Sequence, residues 1–92
     1  MEKLQWETPE EINLNLALRV KKIRLRKNIT QQQLSEMSNV SYGSIKRFEQ
    51  TGQISLLSLT QIAIALGCVD EIKNIFFNVK YQNIKEIIDG NK

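Results

Sequence analysis

Apolar positions along the chain recur at helical rather than strand spacing, and most apolar runs open on a residue suited to capping a helix. Thr8-Pro9-Glu10-Glu11 combines an N-cap hydroxyl, a proline at the first helical position and a glutamate at the third. A helix is predicted from there to about Asn28, burying Ile12, Leu16, Val20 and Ile23, with Leu14, Ala17, Leu18 and Leu25 widening the stripe. Thr30 and Gln33 form a second capping box, which predicts a helix over 31–38 with Leu34 and Met37 as its apolar face. Such a short helix depends on packing for its stability. Asn39 tolerates the left-handed conformation a tight turn needs, and Ser41 caps a third helix over 42–50. That helix buries Ile45 and Phe48 and, at ~100° per residue, turns Gly43, Lys46, Arg47 and Gln50 outward. Thr51-Gly52 ends it. Ser55 caps a fourth helix with Leu56, Leu59, Ile62, Ala63 and Leu66 inward, stopped by Gly67. Asp70 is expected to cap a fifth, with Ile72, Ile75, Phe76 and Val79 inward; Ile84, Ile87 and Ile88 suggest one further short helix or a strand.

These elements predict an all-α fold of five helices sharing one core at about 12–77, with a C-terminal extension over 78–92. The 92 residues suit a single domain, and 41% hydrophobic with 25% charged residues is an ordinary balance for a soluble globular chain. No apolar run approaches the roughly 18 residues of a membrane span, and Met1 to Trp6 lack the apolar stretch of a signal peptide, so a cytoplasmic protein is expected. Cys68 is the single cysteine and cannot close an internal disulfide; it reads as a small apolar filler. Without histidine, a zinc site and a Ser-His or Cys-His pair are excluded. No phosphate-cradling glycine loop is present either, so neither an enzyme nor a cofactor is expected.

Charge changes the picture more than composition does. The net charge is +3, but residues 1–11 carry −3 and residues 70–92 are balanced. Residues 12–69 therefore hold +6: Arg19, Lys21, Lys22, Arg24, Arg26, Lys27, Lys46 and Arg47 against Glu36 and Glu49. An excess of this kind favours a polyanionic partner, while a solvated basic helix face is the plain alternative.

Two short helices joined by a three-to-four-residue turn make a helix-turn-helix over 31–50, with Leu34 and Met37 expected to meet Ile45 and Phe48 and Ser35 small enough for close approach. From Arg24 to Leu66 the chain resembles the XRE, or phage-repressor, family. The resemblance is carried by Arg24, by Thr30-Gln31-Gln32-Gln33-Leu34, by Asn39-Val40-Ser41, by Ile45-Lys46-Arg47-Phe48-Glu49 and by Leu59 to Gly67. Ser35 stands where the family usually has alanine, Asn39 where it usually has glycine, and Thr51-Gly52 is one residue longer than the commonest family turn.

The resemblance implies a repressor-like domain that lays the helix over 42–50 in the major groove of double-stranded DNA. The DNA-facing set it implies is Thr30, Gln31, Ser41, Tyr42, Gly43, Ser44, Lys46, Arg47, Gln50 and Thr51. Arg47 suits a bidentate pair with guanine; Lys46 suits guanine or a phosphate; Tyr42 suits a thymine methyl or a phosphate, or packs beside Ile45. Gly43 lets the helix backbone approach closely, while Gln31 and Ser41 lie at helix N-termini that favour phosphate. Arg24 and Glu49 are implied to form an ion pair between the first and third helices. Proteins of this kind bind palindromic operators as homodimers, and Phe76 to Tyr81 with Ile84 to Ile88 supply apolar groups for the contact. The stretch Ser41 to Leu56 is similar to the subset encoded beside HipA-like kinase toxins, which implies an antitoxin with a kinase partner. A free-standing repressor, or an adaptor binding protein rather than DNA, remains the alternative.

Overall fold

The computed structural model describes residues 7–78, and builds them as α1 (Pro9–Arg26), α2 (Gln31–Ser38), α3 (Tyr42–Thr51), α4 (Leu56–Ala65) and α5 (Val69–Lys73). Among the described residues there is no strand, and no helix is long and apolar enough to cross a membrane.

Short polar side chains set the helix starts. Thr8 Oγ1 accepts from the Glu11 amide at 3.0 Å while Glu11 Oε1 accepts from the Thr8 amide at 3.1 Å. Thr30 and Gln33 repeat the reciprocal pair at 3.0 and 2.8 Å. Ser41 and Ser55 accept from the amides of Ser44 and Ser58 at 3.1 and 3.0 Å. Each such cap satisfies an amide that the helix leaves open and stabilises by about 1 kcal/mol. Left-handed residues follow the helix ends: Asn39 at φ 64° after α2 and Gly52 at φ 84° after α3. At Gly52 glycine is required twice over, because a Cβ there would lie 2.7 Å from the Asn13 carbonyl carbon and the Leu14 nitrogen of α1.

That close approach lets α1 lie across the end of α3. Ala17, Leu34, Val40, Ile45, Phe48, Ile62 and Leu66 form the buried core, and Val20, Ile23, Ile29, Ile54, Leu59, Ala65 and Cys68 pack against it. α2 packs on both α3 and α4, and α4 carries α5.

Several expected core positions lie outside. Leu18 and Leu25 are each one residue on from Ala17 and Arg24, ~100° from the line α1 buries, and are exposed; Ile12 is ~140° from that line and is 51% exposed. Met37 is 52% exposed rather than packed on α3. The inner face of α2 runs from Leu34 to Ser38, and Met37 lies ~80° away from its centre. Serines fill the place predicted for methionine because their hydroxyls are satisfied: Ser38 Oγ donates to the Leu34 carbonyl and Ser35 Oγ to the Val40 carbonyl, both at 2.7 Å.

On α4, Leu56 occupies the first turn beyond the packed surface and is exposed, as are Leu57 and Ile64 on the outer side. α5 is capped by Cys68 without a side-chain bond, so Asp70 is a first-turn residue rather than its cap. The helix stops at Lys73, and a turn with Phe76 at φ 61° breaks the period that would have buried Ile75 and Phe76; both are exposed. Val79 and the segment with Ile84, Ile87 and Ile88 lie outside the described residues.

Candidate nucleic-acid interface

The turn between α2 and α3 is fixed from both sides. The Asn39 amide donates to the Ser35 carbonyl at 2.9 Å, and Val40 is buried with its amide bonded to Ser38 Oγ at 3.2 Å. With Ile45 and Phe48 turned into the core, α3 exposes Tyr42, Gly43, Ser44, Lys46, Arg47, Gln50 and Thr51 along one continuous face. Gly43 has nothing within 4 Å of where a Cβ would stand, so the face is open at that point.

The exposed side chains are partly held in place. Lys46 Nζ sits 5.5 Å from the centroid of the Tyr42 ring, a cation–π contact that orients both along one flank. Arg47 Nη2 donates to Gln53 Oε1. Gln53 is itself fixed, since its amide donates to Thr51 Oγ1 at 3.1 Å while that hydroxyl donates to the Arg47 carbonyl at 2.7 Å. Ser44, Arg47, Gln53, Ile54, Ser55 and Ser58 line a shallow polar depression between the end of α3 and the start of α4. Gln53 did not figure in the sequence reading. It lies six positions after Arg47, beyond Gly52, and no helical period relates the two.

Behind this face stands a buried polar cluster. Arg24 donates from Nε to Glu49 Oε2 at 2.8 Å and from Nη2 to Glu49 Oε1 at 2.9 Å, and its Nη1 donates to the Ile29 carbonyl at 2.7 Å. Arg24 and Glu49 are 5% and 6% exposed. Gln31 Nε2 completes the cluster by donating to Glu49 Oε1 at 2.9 Å, so the Gln31 side chain points to Glu49 rather than to solvent. Its backbone lies in the first turn of α2, directly after the Thr30 cap. One carboxylate thereby ties together α1, the entry to α2 and the end of α3.

Burial alone pushes the Glu49 carboxyl up. The hydrogen bonds from Arg24 and Gln31 and the charges of Arg24 and Lys21 outweigh it and hold the group below the usual carboxylate range. The pair is thus ionised and fully bonded, and no buried side-chain nitrogen or oxygen among the described residues lacks a partner.

The arrangement presents a polar, cationic helix of ~15 Å on a scaffold held by caps, core and one buried ion pair. A helix of this size fits the major groove of B-DNA, whose width is ~12 Å. Comparison with curated proteins and with solved structures finds no match. Comparison with protein families matches residues 20–71, more than half of the 92-residue chain and the whole span from α2 through α4, to a helix-turn-helix family. The chain therefore belongs to the helix-turn-helix family of XRE type, a family of DNA-binding regulators.

Proposed function

We propose that the protein is a sequence-specific repressor that binds a palindromic operator in double-stranded DNA as a homodimer, with α3 in the major groove. The observation that carries this reading is the open face of α3, where Arg47 stands beside unobstructed Gly43 and its guanidinium is aimed by Gln53. Arg47 is the base reader, suited to the O6 and N7 of guanine. Lys46 and Tyr42 serve the flank, Thr30, Gln31, Ser41, Ser44 and Thr51 supply backbone and hydroxyl contacts around it, and Gln50 supplies its side-chain carboxamide. Selection of bound duplexes from a random pool tests the reading. The wild type should recover a palindrome, and Arg47→Ala should relax one position in each half-site. Recovery of no enriched sequence at moderate salt would refute it.

Leu56, Leu57, Ile64 and Phe76 are between 59% and 79% exposed, and they supply the apolar surface for the second copy. Leu57→Asp with Phe76→Asp should yield a monomer by sedimentation, and a dimer of unchanged strength would place the contact elsewhere.

The same exposed leucines favour a second reading, in which the regulator is also the antitoxin of a HipA-like kinase. The likeness of Ser41 to Leu56 to that subset supports it, because the stretch ends on Leu56 itself. Binding of a purified kinase of that class at micromolar concentration or tighter would support this role. Failure to bind would leave a free-standing repressor.

A further inference from the structure

A groove of about 320 Å³ runs between α1, α4 and α5, away from the DNA-facing side of α3. Leu16, Val20 and Ile23 form one wall, Leu59 and Ile62 the floor, and Ile72 and Ile75 the other wall. Arg19 and Glu71, one charge of each sign, also line it. Ile75 remains 48% exposed on that wall, an apolar side chain that packing within the described residues leaves uncovered.

We propose that this groove is the docking site of the chain's own C-terminal segment, residues 79–92, anchored by Ile84, Ile87 and Ile88. Three observations select that occupant. The described chain ends at Asn78, three residues after Ile75, so the segment departs from the groove's own wall. The six residues from Asn78 to Ile84 span up to ~20 Å when extended, ample to reach it. Isoleucines spaced three and four apart suit a narrow apolar slot, while Lys85, Glu86 and Asp89 between and beside them offer partners to Glu71 and Arg19 at the rim. The short tether gives the segment an effective concentration near millimolar, which favours it over a second copy. Residues 1–6 are the poorer candidate, because they leave α1 ahead of Pro9, ~10 Å along the helix axis before the groove begins at Leu16. The docked segment removes Ile84 to Ile88 from the dimer contact that the sequence suggested for them.

Cys68, the single thiol, lines the groove and reports its occupancy. The experiment follows the reaction of Cys68 with a bulky aromatic disulfide reagent in the full chain. Ile87→Asp combined with Ile88→Asp should raise the rate by about tenfold or more, because the segment no longer covers the thiol. Ile84→Ala should raise it less, and Gln82→Ala and Trp6→Asp should leave it unchanged, with thermal melting showing each variant folded. An unchanged rate in the folded isoleucine variants would overturn the proposal. So would a wild-type rate that slows as protein concentration rises, which would put a second copy in the groove, or a rate raised by Trp6→Asp, which would put the N-terminal segment there.

Discussion

At the scale of single residues, the Arg24–Glu49 pair carries the sharpest consequences. Both side chains are almost fully buried and share two hydrogen bonds, so removing one leaves the other charged and uncompensated. Arg24→Ala should therefore cost about 3 to 5 kcal/mol. In a domain of this size that is a fall in melting temperature of more than about 12 °C, with a loss of DNA affinity alongside, and scanning calorimetry checks it. The pH dependence follows from the same carboxylate. Its native value is held below the ordinary 4.5, so between the two values the unfolded chain binds the extra proton and stability rises with pH. The contribution is fully present above about pH 4.5 and is lost as pH falls through the lower native value. Glu49→Gln should be less stable at neutral pH and show a flatter acid limb in denaturant melts taken between pH 5 and the onset of acid unfolding. An acid limb as steep as that of the wild type would assign the effect to other carboxylates.

At the scale of elements, two glycines on and after α3 separate stability from recognition. Gly52 holds a left-handed turn against the backbone of α1, so Gly52→Ala combines steric collision with backbone strain and should cost upwards of about 2 kcal/mol in urea unfolding. Gly43 faces open space within a helix, and Gly43→Ala should leave stability unchanged or raise it by about 0.5 to 1 kcal/mol. Its added methyl stands on the face proposed to meet DNA, and binding titrations should show weaker operator affinity despite the sturdier fold. Equal affinity in the two proteins would mean that the α3 backbone does not approach the bases there. The caps belong to this scale too: Thr30, Ser41 and Ser55 announced three helix starts in the sequence, because a capping bond reaches only three residues. The fifth helix starts ahead of Asp70, its expected cap, because its actual cap is Cys68 with no side-chain bond, and nothing local marks such a start.

At the scale of the whole molecule, the +6 carried by residues 12–69 should make operator binding steeply salt-dependent. With six or more phosphate contacts the affinity should fall about a thousandfold between roughly 50 and 200 mM salt. Fluorescence anisotropy on the selected duplex measures it; a nearly flat response would point to an apolar protein partner as the main ligand.

The amino-acid sequence by itself determined the all-α class, the positions of α1 to α4 within a residue or two, the basic middle of the chain, and the outward face of α3. These are short-range properties, set by caps, glycines and a 3.6-residue period. Only the tertiary structure decided that Ser38 rather than Met37 lies inside α2, because burial there turns on hydroxyls that find the Leu34 carbonyl and the Val40 amide. It also decided that Gln31 reaches Glu49 across eighteen positions and that Gln53 accepts a hydrogen bond from Arg47 across a glycine turn. The groove beneath α5 belongs to the same class. Its walls come from three helices whose mutual angle no periodicity encodes, and it exists because packing leaves space between them.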